Sequence, residues 1–315
     1  MIFIASFCRP RGLGIRIIIA QLILLFSAVG AQSRTWHVRV DGTGDVPTIQ
    51  AAIDSSAAGD AILVAPGVYE QGCLIIHKDS ITVVGEGGPG NTILRTLTTQ
   101  ILGVTRSKYV VVRGFTLENC LSYPLIVDYS NNILVENNVF RFAGAAAILL
   151  WCSFDIAVRD NLIYSNAYGV LCTDLCSSID VEQNTISHNS SGTGLDFGDT
   201  YLCYARNNII AYNQRGVYAA AAQFLCNDVV GNGVNYQLVF GSDPTGTNGN
   251  ISAAPLFCGA DPQASGNYYL QQGSPCAPGN HPVGYPCGVI GRYPVGCGST
   301  SVERATWGEV KSLFR

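Results

Sequence analysis

The chain has 315 residues with 18 Lys and Arg against 22 Asp and Glu, a net charge of −4, and charged residues make up only 13% of it. An apolar share of 48% excludes disorder through low hydrophobicity. The shortage of Lys and Arg excludes a phosphate-neutralising nucleic-acid binder, and 35 Gly without Glu/Lys heptads exclude a long coiled coil.

Arg9, Arg11 and Arg16 open the chain, Ile17 to Phe26 is almost purely apolar, and Val29-Gly30-Ala31 supplies small residues. That order is the one of a secretory signal peptide, residues 1–31, cut after Ala31. An uncleaved anchor is the alternative, but the apolar run is shorter than the roughly 20 residues that span a bilayer. Cys8 precedes the run, so it is not placed as a lipoprotein cysteine. No long apolar run follows, and the mature chain is expected to be exported and not membrane-spanning.

Pro47 to Ala57 carries Ile49 and Ile53 at i, i+4 among helix-forming alanines, with Asp45 as the expected N-cap and Gly59 as the stop. This short amphipathic helix is expected to plug the start of a larger core. Ala61 to Ala65 then reads as the first strand, and Pro66-Gly67 bends it.

The middle of the chain repeats. Val135-Glu-Asn-Asn-Val-Phe140, Val158-Arg-Asp-Asn-Leu-Ile163, Val181-Glu-Gln-Asn-Thr-Ile186, Ala205-Arg-Asn-Asn-Ile-Ile210 and Phe224-Leu-Cys-Asn-Asp-Val229 share an Asn at 138, 161, 184, 208 and 227. The steps are 23, 23, 24 and 19. Val83-Val-Gly85 and Val112-Arg-Gly114 fit with Gly in the Asn position. About ten residues on, Ala147-Ile148, Gly169-Val170, Gly194-Leu195 and Gly216-Val217 recur. A period in the low twenties, built of short β-branched runs without the leucine-rich-repeat pattern, suits three short strands and three bends per unit, one turn of a parallel β-helix. Asn at the bend is expected to adopt the left-handed conformation that Gly tolerates best, and to hydrogen-bond from coil to coil.

The fold expected is therefore all-β, a right-handed parallel β-helix or solenoid over residues 38–240. It has a short N-terminal capping helix, and residues 241–300, rich in Cys, Pro and Gly, form an irregular C-terminal cap. Residues 301–315 form a tail with Trp307, Val310 and Leu313. In an exported chain disulfides are permitted. Cysteines beyond Cys8 are odd in number, so at least one thiol stays free or pairs between chains. Cys258, Cys276, Cys287 and Cys297 read as disulfide formers, and those in mid-chain as small core residues, some of them bridged. Cys172 to Cys176 has neither CxxC spacing nor a nearby His, which argues against zinc.

Val40-Asp-Gly-Thr-Gly-Asp-Val-Pro-Thr-Ile-Gln-Ala-Ala-Ile-Asp54, with Gly59-Asp60 and Val64-Ala-Pro-Gly-Val-Tyr-Glu70, resembles the opening of secreted right-handed parallel β-helix proteins, pectin methylesterases among them. The Asn-rich repeats are similar to those of pectate-lyase-like and NosD-type repeat proteins. Leu270-Gln-Gln-Gly-Ser-Pro-Cys276 and Cys287-Gly-Val-Ile-Gly291 resemble the closing segment of such exported chains. The resemblance covers about residues 38 to 240 and implies the fold more than the activity.

Known chemistries of this fold find few matches. Asp196-Phe197-Gly198-Asp199 only superficially resembles the DFIFG motif of pectin methylesterases, and no QDT precedes it. The NTD, DD, GHG and RIK motifs of polygalacturonases do not occur. Lysines are limited to Lys78, Lys108 and Lys311, and no clear acidic cage marks a calcium site, so no cofactor is expected, with calcium as the unsupported alternative. His188 reads as a hydrogen-bonded turn residue.

In similar β-helices the strand after each repeat Gly lines the substrate groove. Alternation places Ile148, Val170, Leu195 and Val217 inside, with Leu149, Leu171, Asp196 and Tyr218 outside and Trp151, Asp128 and Asp174 nearby. Trp151, Asp196 and Tyr218 are the candidate ligand-binding residues, since aromatic faces stack on sugar rings. Alternatively these side chains only cover the sheet or face the C-terminal loops. The expectation is an exported, non-catalytic module that contacts a polysaccharide or cell-surface glycan. A lyase or esterase with a divergent site at Asp174, Asp196, Asp199 and Arg206 is the alternative. A metal-delivery role like that of NosD-type proteins is disfavoured by four His and a single Met.

Overall fold

The structure is a computed structural model that describes residues 33–97 and 99–297; the expected signal peptide and the 301–315 tail lie outside the described residues. Three parallel sheets stack along one axis. The first has nine strands, from Thr35–Val38 to Ala222–Leu225. The second has eight, from Gly67–Tyr69 to Asp228–Val230, and the third eight, from Leu74–Ile76 to Val234–Leu238. Each coil gives one strand to each sheet, and about nine turns make a right-handed parallel β-helix.

Register follows the repeat. Ile148 pairs with Val170, Val170 with Leu195 and Leu195 with Val217, and all four are fully buried. Burial of one face of each strand is what specifies this register, because a slip of one residue would expose the whole inward set.

The N-terminal end differs in two details from the sequence-based expectation. A further strand, Thr35–Val38, pairs with Ala61–Val64 and starts the first sheet, with Trp36 and Val38 turned inward. The helix is Ile49–Ser55, and its cap is Thr48, whose Oγ1 accepts from the Ala51 N–H at 3.1 Å. Asp45 instead accepts from the His37 N–H at 2.9 Å, and the helix ends at Ser56, before Gly59. Ile49, Ala52 and Ile53 are buried over the first coils, as a cap requires.

The repeat Asn also does something other than expected. Asn138, Asn161, Asn184, Asn208, Asn227 and Asn250 are fully buried, each bonded to the next. The left-handed residue is the one before: Asn137, Asp160, Gln183 and Asn207 have φ of 50°, 50°, 58° and 53°. Gly114, at φ 83°, shares that column, because Arg113 pairs with Glu136. Gly and Asn therefore interchange at the outward bend position, while the inward position holds the buried amides from Asn138 on and Phe115 one coil earlier. A second ladder, Asn166, Asn189, Asn213 and Asn232, lines the next bend, five residues on. Ser107, Ser130, Ser153 and Cys176 stack at the third.

Residues 251–296 do not merely close the end; they lie along the outer face of the second sheet. Val139, Leu162, Ile209 and Ala211 point outward there and pack with Ile251, Phe257, Tyr268, Leu270 and Ile290 in a second core. Strands such as Ile209–Ala211 are buried on both faces, so an apolar segment had to cover them. Disulfides Cys226–Cys287 and Cys258–Cys297 hold this segment. Cys287 thus takes a mid-chain partner, and Cys276 stays a thiol, donating to Asp228 Oδ2 at 3.1 Å.

Candidate functional site

The outer face of the third sheet carries the expected row. Leu149 lies beside Leu171, Leu171 beside Asp196, and Asp196 beside Tyr218. Leu149 is nearly covered, whereas Trp151 is 42% exposed. Two polar patches sit along this face.

The first surrounds Trp151. Its strand neighbours are Asp128 and Thr173. The ring of Tyr129, left-handed at the bend, lies 6.2 Å from the Trp151 ring at a 40° tilt, and the Arg106 guanidinium lies 5.9 Å from the Tyr129 ring. Asp128 Oδ1 is buried without a hydrogen-bond partner. Burial pushes the Asp128 carboxyl above its usual range, and the charge of Arg106 opposes the shift.

The second patch surrounds Asp196. Its Oδ1 accepts from the Gly198 N–H at 3.0 Å. Burial pushes its carboxyl up, opposed by hydrogen bonds from Gly198 and Thr193 and by the charge of Arg215. Arg215 Nη1 is 3.5 Å from Thr193 Oγ1, and its guanidinium lies 5.4 Å from the Tyr218 ring. A register shift between Asp196 and Gly198 bends the strand here.

The two recessed carboxyls are three strands apart, roughly 14 Å at ~4.8 Å per strand. Paired glycosidase carboxyls stand only about 5–9.5 Å apart. Asp174 and Asp199 are exposed on the bend that follows the third sheet, one coil from each other. Arg206 does not join them. It lies on the first sheet, paired with Asp180 and Glu182, in a column Arg113, Glu136, Arg159, Glu182, Arg206 of alternating charge. The cation beside Asp196 is Arg215, because position 215 shares a column with Thr193 on the same sheet. Tyr129 carries no sequence signal, whereas Arg206 and Arg215 both lie near Asp196 and Asp199 in the sequence, and the fold brings only Arg215 to Asp196. Among the described residues no three His, Cys, Asp or Glu side chains form a metal-holding group.

Solved structures share the architecture. The cedar pollen major allergen jun a 1 aligns at TM-score 0.54 and 12% identity, covering 82% of this chain and 90% of its own. Pectate lyase Pel9A aligns at TM-score 0.47 and 12% identity, covering 84% and 97%. Pectin methylesterase PemA from Erwinia chrysanthemi aligns at TM-score 0.43 and 11% identity, covering 64% and 80%. Such identities speak to the fold alone. A search of the curated proteins finds no match. Residues 100–251 match the family model of the right handed beta helix region, and the stacked strands from Thr35 to Leu238 form a right-handed parallel β-helix.

Proposed function

We propose that this chain is an exported β-helix protein that contacts a polysaccharide or cell-surface glycan through the outer face of its third sheet, without cleaving it. The observation that carries this reading is the exposed ring pair of Tyr129 and Trp151, set beside Asp128 and Arg106 on a rigid sheet. Aromatic faces offer a large contact area to a sugar ring at little entropic cost, and the flanking charges supply hydrogen bonds. The two disulfides fit an oxidising compartment. No helix of the described residues is long and apolar enough to cross a membrane.

A second reading, a carbohydrate-active enzyme, is favoured by the recessed Asp196 with Thr193 and Arg215 beside it. A raised carboxyl next to a cation is a common arrangement for acid–base work. A glycan array run in parallel with lyase and esterase assays separates the two. Binding without product supports the contact module. Product formation that Asp196→Asn abolishes overturns it in favour of the enzyme.

A further inference from the structure

The second sheet holds a cavity that the glycan reading does not use. At the bend between the first and second sheets most coils spend two residues, such as Asn137 and Asn138 between strands Asn131–Glu136 and Val139–Arg141. One coil spends six, Glu86 to Asn91, between strands Thr82–Gly85 and Thr92–Arg95. This lengthened loop is preformed: Asn91 Nδ2 donates to the Gly87 carbonyl at 3.0 Å, and Thr116 Oγ1 donates to the Pro89 carbonyl at 2.5 Å. It faces the C-terminal segment across the outer side of the sheet. Loop, sheet and segment border a half-open cavity of about 260 Å³, with Gly90, Asn91, Arg141, Tyr164, Tyr269 and Arg292 on its walls. That is below the roughly 300–1,000 Å³ of sites for drug-sized ligands, so its occupant is small.

The electrostatics of the walls are unequal. Arg141 is balanced, since its Nε and Nη2 both donate to Glu118 Oε2, at 2.7 and 2.6 Å. Arg292 is only 9% exposed, yet its hydrogen-bond partners are neutral: the Asn138 carbonyl and Asn137 Oδ1. No ion pair of the described residues includes it. Burial pushes the Asp160 carboxyl up, opposed first by the charge of Arg292, with which it forms no ion pair. The Tyr293 ring face, 4.8 Å from the guanidinium, offers partial relief. A buried guanidinium normally has a carboxylate or phosphate as partner, and here one positive charge at a cavity wall lacks one.

We propose that this cavity is a binding site for a small monocarboxylate, no larger than a monosaccharide, whose carboxylate completes the hydrogen bonding of Arg292. A single charge without an ion-pair partner matches a monoanion better than a phosphate, which carries more than one negative charge near neutral pH. The site is independent of the third-sheet face, so either reading can fail alone.

L-lactate is the probe and L-lactamide its neutral counterpart, both added to the intact protein and followed by saturation-transfer NMR and calorimetry. The expected result is saturable lactate binding with a dissociation constant of about 1 mM, the scale for so few atoms, and at least tenfold weaker binding of lactamide. Arg292→Met should abolish it. Because that variant also loosens the C-terminal segment, Gly90→Phe is the second test: Gly90 lines the cavity and a Cβ there meets nothing within 4 Å, so a ring can be placed at the cavity wall without displacing the loop. Folded Gly90→Phe should lose lactate at least tenfold, while Trp151→Ala should retain it. No binding by the wild type, equal binding of lactamide, or undiminished binding by Gly90→Phe each overturns the proposal.

Discussion

Asn138 donates twice to one atom of the coil above: its backbone N–H and its Nδ2 reach Oδ1 of Asn161 at 3.0 and 3.2 Å. Asn161 repeats this on Asn184, at 2.9 and 3.1 Å, and its Nδ2 also reaches the Val135 carbonyl at 2.9 Å. Each amide thus satisfies backbone groups that the bend removes from the sheets. Leucine at 161 takes these partners from the buried Asn138 N–H and the Val135 carbonyl, while Asn138 Nδ2 keeps the Val112 and Glu136 carbonyls. Asn161→Leu should lower unfolding free energy by about 1–3 kcal/mol per orphaned group, read by chemical denaturation. A loss below about 1 kcal/mol would show that the ladder is ornamental to stability.

Asp228 ties the last coil to the C-terminal segment, accepting from the Ala253 N–H at 3.0 Å and from the Cys276 thiol at 3.1 Å. Burial pushes its carboxyl up to about 7, from 3.8. Between these values the folded state keeps a proton that the unfolded chain releases. Stability should therefore fall as pH rises from about 4 to 7 and level off above, by a few kcal/mol in order of magnitude. Asp228→Asn should flatten that slope in melts taken across this range; an unchanged slope assigns it elsewhere.

Arg159 stands between Glu136 and Glu182 in register, 3.8 Å from the Glu182 carboxylate and 3.5 Å from that of Asp180. Arg159→Glu would stack three like charges. It should cost about 1 kcal/mol at low ionic strength and less in 1 M salt, because these partly exposed charges are screened. An effect insensitive to salt would mean that lost packing, not charge, is responsible.

Cys226–Cys287 closes a separation of 61 residues and anchors the segment that covers the second sheet. Replacing both cysteines by serine should lower stability by about 2–4 kcal/mol through the freed chain entropy. Limited proteolysis should then cut first between residues 251 and 296, before the coils themselves.

If the third-sheet face holds glycan, Trp151→Ala and Tyr218→Ala should each weaken binding by about 1 kcal/mol or more with the melting temperature unchanged. Affinity electrophoresis against the glycan found on the array measures this directly. Unaltered migration of both variants would leave this face as the outside of a scaffold.

Much of this was readable before the structure. Recurrence of Asn at 138, 161, 184, 208 and 227 and alternation around Ile148, Val170, Leu195 and Val217 located the coils and the core. The same numbers displaced by five, at Asn166, Asn189, Asn213 and Asn232, announced a second ladder that went unread. So did the alternation of Glu136, Arg159, Glu182 and Arg206. Where the reading failed, the error was one of neighbourhood. Arg206 and Asp196 are ten residues apart and look like neighbours in the sequence, whereas a coil carries them to different sheets.

What the sequence determined by itself is therefore the coil. Side-chain alternation with period two and φ > 0 at the bends are local requirements, met by residues a few positions apart, and each repeat states them again. What only the tertiary structure decided is company. Tyr129 meets Trp151, Arg215 meets Thr193 and Arg292 meets Asn137 because stacking places residues 22, 22 and 155 positions apart side by side. The last of these depended on where residues 251–296 would lie. That segment has no periodicity to read, and its position follows from the apolar outer face of the second sheet, a surface that exists only once the coils have stacked.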